Sequence, residues 1–544
     1  MYKRQSRACA YVAHESWLSG ALCVHAFDSA APNRYDALFQ TIVSMQATAS
    51  GSLQAHNSYC LQLFAGDVLS VDALYWYATS ICKNPGVQAV YCDEDAATFS
   101  AYGQLTGVHH PYFKPDWDST LLAFTPYVSH GLAVSLEVLQ QAGEVLQHTE
   151  LEHPSVLVHA AALLIANTTA AFTPHAMAIP QHIRRVLYHA QAPHPALCHP
   201  ASSQLSTYAT LVSELRTQYL QTIDLLRAEQ TEQTAQTSPL CTITCSVSSD
   251  GMRTEYYTWH RQPLVSIIIP TKDAVDVLSR CITSIYAKTT WPYVEVILVE
   301  NNSTNDATFA YYKTLQAAHN NLRVCVCKTG GVFNFSRVVN AGVAAAKGEY
   351  LLFLNNDTEV ITPNWIERLL STFAYERVGI AGAKLLFANN TIQHAGVVLG
   401  SNLWSPQHVY SGIDAAYEGY AHMNVYNHEQ RAVTGACMMM PRRVYDECGS
   451  FDESLPVNFN DTDVCLRVRA HGYTIVQRSD TQLYHHESVS RGHADNPARL
   501  ERLMFDFGTF WTRWSHTLRK SDPWYSENFG YNNIYCGLDA MRRF

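Results

Sequence analysis

The chain has 544 residues, 47% hydrophobic, 11% aromatic and 15% charged. That is length for two large or three ordinary domains with sizeable cores, and a composition that excludes a disordered chain. Lys plus Arg number 37 against 47 Asp plus Glu, a formal charge of −10 with no long basic run, which argues against a non-specific binder of nucleic acid or anionic membrane.

The 15 cysteines are odd in number, scattered and free of any CxxC, and several stand in apolar runs such as Val324-Cys325-Val326-Cys327. They read as small buried hydrophobes in a reducing compartment. The opening MYKRQSRACAYVAHESW lacks an apolar core, so no secretory leader is expected. Residues 153–183 contain no Asp, Glu, Lys or Arg, yet hold His159, Asn167, Thr168, Thr169, Pro174, His175 and Pro180. Those groups are costly in hydrocarbon, so the segment reads as a buried helix of a soluble protein.

In chain order, Leu205, Tyr208, Leu211, Leu215, Tyr219, Ile223 and Leu226 recur at spacings of three and four and predict an amphipathic helix within 204–232. A polar stretch, 233–239, and a short β-like patch follow. The run LVSIII at 264–269 suits a strand buried on both faces. Next come a helix with Val275, Leu278, Ile282 and Ile285 on one face, a strand at 294–299 and a helix at 307–318. A strand at 322–327, a helix at 335–346 and a strand at 350–354 complete the alternation. It predicts a doubly wound α/β domain with a mostly parallel central sheet and ligands at the carboxyl ends of its strands. The expected division is 1–200, a helical linker at 201–260, and 261–544 ending in a helical tail.

Polar clusters stand at those strand ends. Asp357 of Asn355-Asn356-Asp357 follows YLLFL, where a rigid carboxylate can hold Mg²⁺ or Mn²⁺; the same cluster also suits a turn or helix cap. Glu300-Asn301-Asn302-Ser303 can bind a pyrimidine edge and a ribose hydroxyl, or close a turn. Asn460-Asp461-Thr462-Asp463 opens a helix that Gly472 ends, making Asp461 an N-terminal cap or a base at a cleft mouth. In Tyr484-His485-His486-Glu487 the two histidines point to opposite faces of an extended segment, so at most one reaches a metal. No P-loop or GxGxxG follows the first strand, which leaves phosphate charge to a metal, with Gly330-Gly331 as a further source of N–H donors.

The ordered series SIIIPTKD, ILVENNS, GGVFNFSRVVNAG, GEYLLFLNND, IQHAGVVLG, VTGACMMMPRRVYDECGSFDE, FNDTDVCLRVRAHGY and YHHESVSRG resembles the family 2 glycosyltransferases of GT-A fold. The likeness extends over about 261–530, including DPWYSENF, and is strongest to bacterial surface-polysaccharide members described as rhamnosyltransferase-like. It implies donor contacts from Thr271, Glu300, Asn301, Asn355 and Asn356, with Asn355 near the ribose. It also implies a divalent ion (Mg²⁺ or Mn²⁺) on Asp357 completed by His486, with His485 the fallback, and Asp461 as base. Residues 488–491 would order a loop over the donor. Departures are Glu300 and Asn301 where Asp is usual, Asn355 for the first DxD carboxylate, Asn460 for the Glu before the base, and Lys272 where an aromatic often stacks. The implied activity is single-displacement, inverting transfer from a UDP- or dTDP-sugar to a glycan or lipid-linked glycan of O-antigen or another surface polysaccharide. No nucleic-acid partner or transmembrane span is expected, and the location is cytoplasmic with room for peripheral association at the inner membrane face. The alternative is a catalytically silent nucleotide-sugar or glycan-binding protein, suggested by Asn355 and Asn460.

Residues 57–200 resemble an eroded second copy. AVYCDEDAATF, with Asp93-Glu94-Asp95, is similar to the strand-plus-DxD segment, and IRRVLYHAQ to the closing strand with His189. The opening strand and the Glu-Asp pair are missing, so this half is expected to be a scaffold or acceptor-binding domain, with Asp93 and Asp95 as metal-binding candidates.

Overall fold

The computed structural model describes residues 21–27, 58–64, 67–100, 105–125, 127–128, 130–146, 161–162, 164–165, 179–190, 240–247, 253–327, 333–374, 377–400, 405–486, 497–530 and 534–536. The chain divides into two compact units, Met1–Thr237 with Ile243–Tyr256, and Ser238–Thr242 with Tyr257–Phe544. The expected helix at 204–232, the Gly330-Gly331 loop, the 488–491 loop and most of 153–183 lie outside the described residues. Where the sequence suggested a helical linker up to 260, the described residues form strands, β8 and β9 below, paired as a sheet of their own.

The first unit contains β1 (Ala21–Phe27), β2 (Ser58–Phe64), β3 (Val68–Leu69), α1 (Ala73–Lys83), β4 (Ala89–Phe99), β5 (Leu105–Tyr112), α2 (Ser119–Leu122), β6 (Leu132–Ser135), α3 (Leu136–Leu146) and β7 (Gln181–Ala190). Next in the chain come β8 (Cys241–Val247) and β9 (Arg253–Trp259).

In the second unit β10 (Val265–Thr271), α4 (Val275–Lys288), β11 (Val294–Glu300), α5 (Asp306–Ala318), β12 (Leu322–Val326), α6 (Phe335–Ala345) and β13 (Tyr350–Leu354) follow the expected alternation. Then come β14 (Thr358–Val360), α7 (Trp365–Ser371), β15 (Val378–Leu386), β16 (Ile392–His394), β17 (Val397–Val398), β18 (Gln407–His408), β19 (His428–Glu429) and β20 (Cys437–Pro441). Helix α8 (Arg442–Cys448), α9 (Asn460–Ala470), β21 (Thr474–His485) and α10 (Pro497–Leu518) complete it. The sheet order is β12-β11-β10-β13-β20-β15-β21-β14, with β16 on β15 and β19 on β21. It is parallel from β12 to β13 and mixed beyond, because β20 runs antiparallel to both neighbours.

Strand alternation divides the core between the two faces of this sheet. Ile267 and Ile269 of β10 join Leu278 and Ile282 of α4, Leu315 of α5 and Trp365 of α7, whereas Ile268 joins Val338 and Val339 of α6, Val464 of α9 and Phe510 of α10. Helix α6 lies so close that a Cβ on Gly342 would collide with Ile268 Cγ2 and meet Val299 Cγ2 at 2.8 Å. That close approach explains the glycine inside a helix. Among the described residues no helix is long and apolar enough to cross a membrane.

The first unit repeats one part of the second. Its sheet order β1-β2-β6-β4-β7-β3, with β5 on β4, has the pairing directions of β10-β13-β20-β15-β21-β14 with β16 on β15. The equivalent strands also occur in the same chain order. Two expectations are thereby corrected. The opening strand of the first half is present as β1, which its mixed composition, ALCVHAF, conceals. The segment equivalent to the DxD turn is the one after β2, ending at Asp67, while Asp93-Glu94-Asp95 occupies the counterpart of β15. The pairing makes this specific: Thr358, after Asp357, lies opposite His485, and Val68, after Asp67, lies opposite His189.

The Asp93-Glu94-Asp95 carboxylates are buried and engaged. Asp93 meets His182 Nε2 at 2.8 Å, Glu94 meets Lys114 Nζ at 2.8 Å and His130 Nδ1 at 3.0 Å, and Asp95 meets His189 Nδ1 at 2.7 Å. Each charge has a partner, as buried charges require.

Candidate active site

The ends of β10, β11, β13 and β21 and the start of α9 carry the expected residues. Thr271 ends β10 in register with Glu300 at the end of β11, and Asn301 N donates to Thr271 O at 3.0 Å. The buried Glu300 carboxylate accepts from Ser303 N at 2.6 Å, Ser303 Oγ at 2.5 Å and Tyr312 OH at 2.9 Å. Of the two roles open to it from the sequence, contact with a base or ribose and closure of a turn, the structure has it closing its own turn, with buried Asn301 beside it. Asp273 ties β10 to that turn, since its Oδ1 accepts from Asn305 N and Thr304 N, both at 3.0 Å. These backbone donors hold its carboxyl below the usual range, that of Asn305 foremost.

After β13, Asn355 O accepts from Thr358 Oγ1 at 2.8 Å and Asn355 N donates to Ala436 O at 3.0 Å, which fixes the 355–357 turn. Asn356 is half-buried and Asp357 is buried. Asp357 Oδ1 lies 3.1 Å from His485 Nε2, and Asn355 Nδ2 lies 3.2 Å from the same nitrogen. His486 turns the other way, its Nε2 3.0 Å from Glu359 Oε2, and only its backbone N reaches Asp357, donating to the carbonyl at 2.9 Å. The histidine beside Asp357 is therefore the fallback, His485, in place of His486. Alternation along β21 enforces the choice, because adjacent side chains cannot share a face.

Asp461 is not the cap of its helix. The cap position is Phe459, whose φ of 62° is left-handed, and α9 begins at Asn460. Asp461 Oδ2 accepts from Gly435 N at 3.0 Å and Thr434 Oγ1 at 3.3 Å, and its Oδ1 accepts from Thr462 N at 2.7 Å. Residues 434–436 thus join the two acidic positions: Ala436 O holds the 355–357 turn while Gly435 N holds Asp461. Asn460 is buried, with Nδ2 donating to Val457 O at 3.2 Å and Leu455 O at 3.4 Å. A carboxylate has no proton for those carbonyls, which accounts for Asn where Glu is usual.

Behind α9, the fully buried Asp463 accepts from Arg467 Nε at 2.9 Å, Arg513 Nη1 at 2.6 Å and Trp514 Nε1 at 2.9 Å, fastening α10 to the helix that carries Asp461. Sequence reasoning singled out neither Asp463 nor Gly435 for a role, and took the stretch with IQHAG only as part of the 388–430 loops that set specificity. The signal was a polar pair, Gln393-His394, set in an apolar run.

The profile described as Glycosyl transferase family 2 matches residues 266–449, which contain Thr271, Glu300, the 355–357 turn and 434–436. The chain carries a family 2 glycosyltransferase domain. Its fold class is the expected α/β GT-A arrangement. The chain is 30% identical over 500 residues to an uncharacterized protein, y4gI, of Sinorhizobium fredii, covering 91% of this chain and 51% of that protein. It is 31% identical over 493 residues to the O-antigen biosynthesis protein RfbC of Myxococcus xanthus, covering 91% of this chain and 35% of that one. The chain thus spans about half or less of these relatives' length. Among solved structures, a GalNAc-T7 crystal structure with UDP, GalNAc and Mn²⁺ aligns with TM-score 0.39 and 16% identity, covering 48% of this chain and 51% of that one.

Proposed function

We propose that the chain is an inverting, metal-dependent glycosyltransferase moving a sugar from a UDP- or dTDP-linked donor to a hydroxyl of a growing glycan, either O-antigen or another surface polysaccharide. The observation that carries this reading is the 434–436 segment, which holds Asp461 on one side and the 355–357 turn on the other at the carboxyl ends of the sheet. A base and a donor site must be neighbours for direct displacement, and the link through this segment supports that reading.

Residues around Asp357 fit a divalent ion. One carboxylate and one imidazole face each other at 3.1 Å. Among the described residues no group of three or more His, Cys, Asp or Glu forms a complete cage. Mg²⁺ and Mn²⁺ are suited to that shortage, taking remaining ligands from substrate phosphates and water, with the imidazole favouring Mn²⁺. When bound, such an ion offsets the charge on the departing nucleoside diphosphate. Thr271, Asn301 and Asn356 line the donor side. Asp461, oriented by Gly435 N and Thr434 Oγ1, takes the proton from the acceptor hydroxyl as it attacks the anomeric carbon from the opposite face. The reaction is placed in the cytoplasm, with peripheral contact where a lipid-linked acceptor sits in the membrane. The first unit, whose carboxylates are engaged with His and Lys, serves as scaffold or acceptor-binding domain.

A silent binding protein was suggested by Asn355 and Asn460. The two carbonyl contacts of Asn460 give that residue a reason that leaves catalysis intact. Asp461→Asn tests the assignment: transfer should fall about 10²–10⁴-fold while nucleotide with Mn²⁺ still raises the melting temperature. Unchanged turnover would remove Asp461 as base.

A further inference from the structure

The IQHAG segment has no part in the reading above, yet it stands directly behind His485. Strand β16 is buried throughout, and Gln393 is 6% exposed. Its Nε2 donates to His485 O at 3.3 Å, and its Oε1 lies 2.6 Å from His485 Nδ1. The first contact decides the second: with the amide nitrogen on a carbonyl, the oxygen must face the ring. An amide oxygen only accepts, so Nδ1 carries the proton and Nε2 keeps its lone pair. In the neutral ring that lone pair accepts from Asn355 Nδ2 at 3.2 Å, and Asp357 Oδ1 stands 3.1 Å from the same nitrogen, a pair of acceptors that a cation would bridge.

We infer that Gln393 is a positioning residue, selecting the tautomer of His485 and holding its Nε2 toward Asp357 so that a divalent cation finds both ligands preset. This rests on the reading of Asp357 and His485 as the cation site. Ligating histidines need such a partner on the second ring nitrogen, and losing it typically costs about 10–100-fold in metal affinity. Gln393 also bonds the backbone of the same residue, so rotation of the ring and displacement of the strand are resisted together.

The test is titration of the full chain with Mn²⁺ alone, followed by calorimetry and thermal melting, for wild type, Gln393→Met, His485→Ala and the double variant. Gln393→Met keeps the volume and removes both polar contacts. It should weaken Mn²⁺ binding about 10–100-fold, His485→Ala should weaken it at least as much, and the double variant should be no worse than His485→Ala alone. An affinity within twofold of wild type, or an equal further loss in the His485→Ala background, overturns the inference, since Gln393 would then not act through His485. Absence of Mn²⁺ binding by wild type, with UDP present as well as without it, instead removes the cation site itself, and with it any role for Gln393. If Gln393→Met does not fold, Gln393→Glu keeps an oxygen on Nδ1–H and should still bind Mn²⁺. A folded Gln393→Glu chain that fails to do so counts against the proposal.

Discussion

His485 Nε2 lies 3.1 Å from Asp357 Oδ1, and the contact is set by strand pairing, with Thr358 opposite His485. The first unit repeats the register with Asp67 and His189 but gives the pair other partners. Asp67 Oδ2 accepts from Tyr188 OH at 2.5 Å, while His189 meets Asp95 Oδ1 at 2.7 Å and Ser70 Oγ at 3.0 Å. Both ring nitrogens of His189 are thus engaged within the unit. The same backbone frame supports a facing Asp–His pair in one unit and a self-contained polar network in the other.

That difference yields a first prediction. Mn²⁺ with a nucleoside diphosphate should stabilise the wild type, and the shift should vanish in Asp357→Ala and His485→Ala. It should persist in His486→Ala and Asp67→Ala. Differential scanning fluorimetry reads this directly, because ligand binding raises the melting temperature only where the site exists. A shift lost in His486→Ala and kept in His485→Ala would reverse the assignment.

Restoring a carboxylate at position 460 should harm the protein. Asn460→Asp places an acceptor against the carbonyls of Val457 and Leu455, and the expected loss of unfolding free energy is about 1–3 kcal/mol. Urea denaturation measures it. A variant as stable as wild type would mean that those contacts contribute nothing.

Asp463→Asn should loosen α10 from α9. The carboxylate is fully buried and accepts three donors, two of them from arginines, so the cost is about 3 kcal/mol after allowance for the partly exposed Arg513. Transfer should fall along with stability, because α9 carries Asp461. Limited proteolysis that first releases the 497–544 segment would locate the damage.

Lys384 gives a pH dependence. Burial lowers its ammonium from 10.5 to about 8, and its Nζ donates to the carbonyls of Ala415 and Asn424. Between those values the unfolded chain binds the proton that the folded chain has lost, so stability rises with pH through this window and is lowest below it. Over the whole window the contribution is about 3 kcal/mol. Comparing wild type with Lys384→Met by denaturation at pH 7 and pH 9.5 isolates it. The wild type should gain on the variant as pH rises, and parallel curves would refute the sign.

By itself the sequence determined the α/β class of the second unit, the strand ends where polar residues collect, and the candidacy of Asp357 and Asp461. Those are local facts. The β-branched runs at β10, β11 and β13 record burial on both faces, and the helical spacing of Val275, Leu278, Ile282 and Ile285 records one packed side. It also contained the constraint on the histidines, since alternation allows only one of them to face Asp357. Which one depends on the register of β21 against β14, and register is set by long-range pairing. The bridge at 434–436 was equally hidden, because it joins residues remote in the chain, whereas the contacts of Glu300 and Asn460 are local and depend on how each turn is closed. In the first unit, strand order and direction place the DxD equivalent at Asp67, whereas local likeness had pointed to the acidic run at 93–95. Composition reports what a residue can bond, and only the fold decides which partner comes within 3 Å.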